Sequence, residues 1–185
     1  MMVTPATTET ALGTLSVENA SPETPRPQTE EVGLNSILSA YLRETLPLDL
    51  SELAQDVVAQ MLTDGRLENV DIHYHLPDER VSVELPRRQF AQVIEHMVTT
   101  AAEAMKALTD RSHVLRVIVE TADPFGDYGP RVRVQDTGAS VIVEDAMQAT
   151  IERAETLGAK LTVKNRPTGG NIFTVELPAE QVRSW

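Results

Sequence analysis

The sequence predicts an α/β protein, a two-layer sandwich in which a mixed, mostly antiparallel sheet carries helices on one face. Three observations predict it. Between residues 48 and 178 the apolar pattern switches period in the order helix, two strands, helix, two strands, helix, two strands. Phe90, Val93, Ile94, Met97, Ala101, Ala104, Met105 and Leu108 keep one unbroken stripe at helical spacing, which marks the central helix of a core. Near the end, Phe173, Val175 and Leu177 alternate with polar residues, as a strand with one buried face does. With 185 residues, 41% hydrophobic and 24% charged, the chain supports one core and a tail.

The elements follow in order. Residues 1–30 are rich in Thr, Pro, Ser, Glu and Ala, with Pro5, Pro22, Pro25 and Pro27 blocking regular structure, and are expected to form a disordered tail. In residues 31–46, Leu34, Ile37, Leu38, Tyr41, Leu42 and Thr45 fall at helical spacing before Pro47. This amphipathic helix either packs on the domain or serves as a docking or dimerisation helix, with Leu34, Leu38, Tyr41 and Leu42 as its contact residues. The next helix starts at Asp49 or Ser51, either of which can cap it, carries Leu53, Val57, Val58 and Met61, and stops at Asp64 and Gly65. From Val70 to Leu76 the pattern alternates, with Val70, Ile72 and Tyr74 on one face and Asp71, His73 and His75 on the other. A turn at 76–80 leads to a short strand, 81–85. Pro86 suits the first turn of the central helix, where its missing N–H has no partner to lose. Strands at 114–121 and 131–135 flank a turn-rich segment, 123–130. A third helix, 144–157, ends at Gly158 as a left-handed cap. Strands 161–164 and 172–177 form the last hairpin across Arg166 to Gly170, and 179–185 is a C-terminal tail.

Charge and composition restrict partners. A formal charge of −12 opposes binding to nucleic acid or to an anionic membrane and favours a protein partner with a basic surface. The absence of cysteine excludes disulfides and thiolate metal sites. No signal-peptide pattern opens the sequence and no apolar run approaches a membrane span, so a soluble, cytoplasmic protein is expected. His73 and His75 with Asp71 could hold a transition metal, but no third ligand is evident and no metal is expected. His113, just before a strand, is expected to be exposed. His96 is placed on the pocket side of the central helix and is not read as a phosphorylation site.

Several of these segments resemble one family. The helix from Gln92 to Met105 and the strand end from Val134 to Ser140 look like the first two nucleotide-binding motifs of the histidine-kinase-type ATPase (GHKL, or Bergerat) fold. Leu48 to Leu53 looks like the lead-in to that domain, Pro86 to Ile94 like the start of its asparagine-box helix, and Thr168 to Pro178 like its closing hairpin. The resemblance spans about 48–178 and implies a nucleotide-binding remnant of Thr100, Glu103, Asp136 and Gly138. Thr100 stands where the family has the asparagine that holds magnesium, and a hydroxyl is a weaker ligand than an amide carbonyl. Asp136 matches the carboxylate that accepts from the adenine amino group, and Gly138 the glycine that admits the ring. Between Ser140 and Ala146 the family inserts a lid and a glycine-rich phosphate cradle, whereas here only Val141 to Asp145 intervene. Glu144 and Asp145 fall where the phosphates would lie; like charges about 4 Å apart repel by about 4 kcal/mol at an effective dielectric near 20.

The resemblance therefore implies a lid-deleted, non-catalytic regulatory or adaptor module of two-component-type signalling, without cofactor or catalytic residues. It would dock a protein such as a response regulator or kinase, and homodimerise through residues 31–46. In logic it is similar to histidine phosphotransferases that carry an ATP-less kinase-like domain, though no phosphoacceptor hairpin is present. The alternatives are a divergent kinase or ATPase domain binding ATP with magnesium in a reduced, lidless site, with Glu103 as a weak general-base candidate, and an anti-sigma or partner-switching factor.

Overall fold

Capping and turn chemistry set the first helix. The computed structural model describes residues 47–110, 112–140 and 146–179. The expectations for 1–30, for the helix at 31–46 with Leu34, Leu38, Tyr41 and Leu42, for Glu144 and Asp145, and for 180–185 lie outside the described residues. Strand β1 (Leu48–Asp49) leads directly into α1 (Leu50–Thr63). Asp49 Oδ1 accepts the N–H groups of Ser51 at 2.9 Å and Glu52 at 3.4 Å, so Asp49 is the cap and Ser51 is not. The helix buries Leu50, Leu53, Ala54, Val58 and Met61 and ends at Asp64, followed by Gly65 at φ +70°.

The strands β2 (Val70–His75) and β3 (Ser82–Val83) precede the central helix α2 (Arg87–Lys106). Seven residues of the anticipated stripe, from Phe90 to Met105, are buried on α2. Leu108 lies just past its end, half-buried, with its N–H donated to the Met105 carbonyl at 2.9 Å. Then come β4 (His113–Glu120), β5 (Arg131–Gln135), α3 (Gln148–Thr156), β6 (Lys160–Asn165) and β7 (Asn171–Glu176). Gly158, at φ +74°, closes α3 in the left-handed conformation the sequence called for.

The main sheet runs β2-β4-β5-β7-β6; β2 and β4 are parallel and the other three pairs antiparallel. Its register puts Val117, Val134, Phe173 and Val163 in one cross-strand row, with Val119, Val132, Val175 and Leu161 in the next. These rows pack against the helices in a single core that also holds Phe90, Ile94, Met97 and Met105. On the opposite face Arg131 Nε and Arg133 Nη2 both donate to Glu120 Oε2, the latter at 2.9 Å. The Arg131 guanidinium also lies 3.7 Å over the Tyr128 ring. Helices on one face of a mostly antiparallel sheet is the architecture anticipated above.

Three details differ. Leu48–Asp49 pairs with Ser82–Val83 as a separate two-stranded ribbon, a long-range contact that local pattern does not reveal. Tyr74, expected to face inward, is 37% exposed, because β2 is an edge strand with a neighbour on one side. His113, expected to be exposed, is half-buried as the first residue of β4, with Nδ1 buried and without a partner among the described residues.

The cap can be tested by replacing each candidate in turn. Asp49→Ala is expected to cost about 1 kcal/mol in urea-unfolding free energy. Ser51→Ala, which removes a buried hydroxyl with no partner among the described residues, is expected to change it by less than about 0.5 kcal/mol.

Candidate functional site

Strand β5 ends at Gln135, and the next side chain, Asp136, turns into the protein and is only 1% exposed. A carboxylate so far from water needs internal donors. Its Oδ1 accepts the Gly138 N–H at 2.7 Å and the Asn171 N–H at 3.2 Å, and Asn171 Nδ2 donates to both carboxylate oxygens at 3.0 Å. Asn171 is fully buried, and the same Nδ2 lies 2.8 Å from the Ala139 carbonyl. Burial pushes the Asp136 pKa above the ordinary carboxylate value; the hydrogen bonds from Gly138 and Asn171 and the charge of Arg166 oppose that rise without cancelling it.

The turn after Asp136 packs backbone against backbone. The Ala139 N–H donates to the Ala104 carbonyl near the end of α2 at 2.8 Å, and the Gly170 N–H to the Gly138 carbonyl at 2.9 Å. A Cβ at Gly138 would lie 2.4 Å from the Ala104 carbonyl carbon. At Gly170, which has φ +87°, it would lie 2.1 Å from the Asp136 carbonyl oxygen. The two glycines let the β5 turn, the α2 terminus and the β6–β7 turn close on one another.

Thr100 lies on α2 one turn before Ala104 and is buried. Its hydroxyl donates to the His96 carbonyl at 2.9 Å, and the sulfur of the fully buried Met147 sits 3.3 Å away. Met147, just ahead of α3, thus covers the Thr100 oxygen. His96 is exposed on the flank of α2, where its Nδ1 meets the Thr150 hydroxyl of α3. Beside this pair a cleft of about 370 Å³ runs between α2 and α3, with Arg66 and Arg153 among its lining residues. Arg66 is held by Glu95 and Thr99, both at 2.5 Å, and Arg153 donates to Gln92 Oε1 at 2.7 Å.

Of the four candidate nucleotide residues, the fold brings Asp136 and Gly138 together and places Thr100 on the helix against which Gly138 packs. Glu103 is exposed on α2. Asn171, Gly170 and Met147 complete the site and were not singled out from sequence. The run Thr168 to Asn171 reads locally as a turn, and only the cross-strand register brings Asn171 to Asp136. His73 and Asp71 form an exposed pair at 2.8 Å. Among the described residues no group of three or more His, Asp or Glu is placed to hold a metal.

No protein-family model matches the chain, and no curated protein does. Solved structures match well. The catalytic domain of the histidine kinase ThkA is 22% identical with a TM-score of 0.57, the match covering 74% of this chain and 96% of that one. The mycobacterial sensor histidine kinase MprB is 12% identical with a TM-score of 0.58, covering 72% of this chain and 97% of that one. The ATP binding domain of PrrB from Mycobacterium tuberculosis is also 12% identical with a TM-score of 0.58, covering 76% and 99%. The fold is therefore that of histidine kinase catalytic domains, as the sequence motifs implied. No helix among the described residues is long and apolar enough to cross a membrane.

Two outcomes test this geometry. Gly138→Ala is expected to cost more than about 2 kcal/mol, because the obstructing atoms are backbone; urea unfolding measures it. Asp136 gives a pH dependence of definite sign. Its folded pKa is raised above the ordinary 3.8, so the folded state holds the proton more tightly than the unfolded one. That contribution is complete below the ordinary value and is lost as pH rises through the raised value. Relative to Asp136→Asn, the native chain should lose unfolding free energy across that window and change little above it; a rise with pH would show that the hydrogen bonds outweigh burial.

Proposed function

We propose that this chain is a kinase-shaped regulatory module of two-component-type signalling that acts by docking a protein, such as a response regulator or a kinase, rather than by phosphoryl transfer. One observation carries the reading. Asn171 Nδ2 presents to Asp136 the kind of N–H donor that an adenine amino group would bring, from inside the chain and at 3.0 Å to each oxygen. A tethered donor competes at an effective concentration in the millimolar range or above. A nucleotide would have to displace it and open a site that is 1% exposed.

The metal end supports the same reading. Magnesium needs an oxygen turned toward it, while the Thr100 hydroxyl is spent on the His96 carbonyl and lies beneath Met147. In this arrangement Thr100 and Asp136 do not fit a magnesium-bound nucleotide. The surfaces proposed for docking are the rim of this closed pocket and the segment 31–46. A cytoplasmic location and homodimerisation belong to the same proposal.

The second reading, a divergent nucleotide-binding domain, is favoured by the fold itself and by the retained Asp136. Calorimetric titration with magnesium-ATP and with ADP separates the two. The expected result is no saturable heat at millimolar nucleotide and an unchanged melting temperature. Saturable binding that Asp136→Asn abolishes would overturn the docking reading and direct attention to hydrolysis and phosphotransfer.

A further inference from the structure

The helices cover one face of the five-stranded sheet, and the strand register fixes what stands on the other. Successive side chains of a strand point to opposite faces, so the residues between the core rows line up outward. One outward row reads Thr162, Thr174, Arg133, Ile118 and His75 across β6, β7, β5, β4 and β2. The next reads Lys164, Ile172, Gln135, Arg116 and His73 in the same order. Ile118 and Ile172 are half-buried and lie outside the core cluster, so they form an apolar centre on this face.

Charge is distributed unevenly around that centre. The two rows hold the cations Arg116, Arg133 and Lys164 and no carboxylate, in a chain whose formal charge is −12. Arg133 shares Glu120 with Arg131, and the adjoining row of Lys160, Glu176, Arg131 and Glu120 balances its own charges. Arg116 and Lys164 are exposed, and among the described residues neither has a hydrogen-bond or ion-pair partner. An apolar centre among cations that the chain itself does not neutralise is complementary to an acidic surface with an apolar side chain to insert.

We infer that the open sheet face of β2, β4, β5, β7 and β6 is a docking surface for an acidic segment of a partner protein. Charges are screened over about 8 Å at physiological ionic strength, so a compact segment on this face is governed by Arg116, Arg133 and Lys164 rather than by the net charge of the chain. A nucleic acid is a poorer match. Its backbone runs on past the patch into the acidic remainder of the surface, and neither row offers an aromatic side chain on which a base would stack. Five strands about 4.8 Å apart span about 19 Å, which a helix of about 13 residues crosses. The inference goes beyond the docking reading of the closed pocket and uses a different surface.

The test titrates the ¹⁵N-labelled full chain with a peptide of about 14 residues, glutamate throughout except for leucine at every fourth position. A counterpart with lysine in place of glutamate and a single-stranded oligothymidylate serve as comparisons. The expected result is saturable amide shifts centred on Arg116, Ile118, Ile172 and Lys164 with the glutamate peptide. The double variant Arg116→Glu, Lys164→Glu should bind that peptide at least about tenfold more weakly and should gain binding to the lysine peptide. No saturable shifts, shifts centred elsewhere, or equal binding by the charge-reversed variant would overturn the proposal, and so would tighter binding of the oligonucleotide at the same amides. If the double variant fails to fold, Arg116→Gln carries the test: an affinity loss of about threefold supports the contact and no loss overturns it. The nucleotide titration reads another site, so saturable ATP binding would remove the docking reading of the closed pocket and leave this one standing.

Discussion

A carboxylate moved out of water costs several kcal/mol unless the protein replaces the lost hydration with donors in the right places. Asp136 imposes that requirement at the junction of three segments. Its donors come from its own turn through Gly138 and from the start of β7 through the main chain and side chain of Asn171. Satisfying them fixes how β7 meets β5, because Asn171 must sit opposite the end of β5, where the Asp136 N–H donates to the Asn171 carbonyl at 3.1 Å. The same closure brings Gly138 onto the end of α2 and Gly170 onto the Asp136 carbonyl, which leaves no room for a Cβ at either place. The helix layer and the sheet are thus joined at this end by a polar hub, and elsewhere by packing.

The hub also separates scaffold from chemistry. Histidine kinase catalytic domains and this chain share a fold at identities of 12–22%, and a shared fold does not carry activity with it. Here two of the residues that resemble a nucleotide site are engaged by other groups of the same chain. Asp136 binds Asn171, and Thr100 binds its own helix beneath Met147. Both are buried, and each finds its hydrogen-bond partners within the fold.

Much of the fold was legible because it is written in local periodicity. The α2 stripe from Phe90 to Met105, the strand from Arg131 to Gln135 and the inward positions Phe173 and Val175 each follow from spacing within one segment. Gly65 and Gly158 were legible as helix stops, since a left-handed residue after a helix favours glycine. What escaped depends on distant partners. Asn171 looks like part of a turn until β5 and β7 are aligned, and nothing around Met147 says that it will lie over Thr100. The ribbon between Leu48–Asp49 and Ser82–Val83 involves two residues a side, too short for any period to show. The helix start was legible only as a choice between Asp49 and Ser51, and the hydrogen-bond geometry decided it.

The two borders of the sheet have a consequence of their own. Unpaired strand edges are templates on which other chains can grow, and proteins discourage this with short, charged or irregular border strands. Here β2 carries the exposed Asp71, His73 and His75, and β6 carries the exposed Lys160 and Lys164. An incoming strand would bring its side chains alongside ammonium groups on one border and an Asp–His pair on the other. These charged borders disfavour edge-to-edge pairing between copies of the domain.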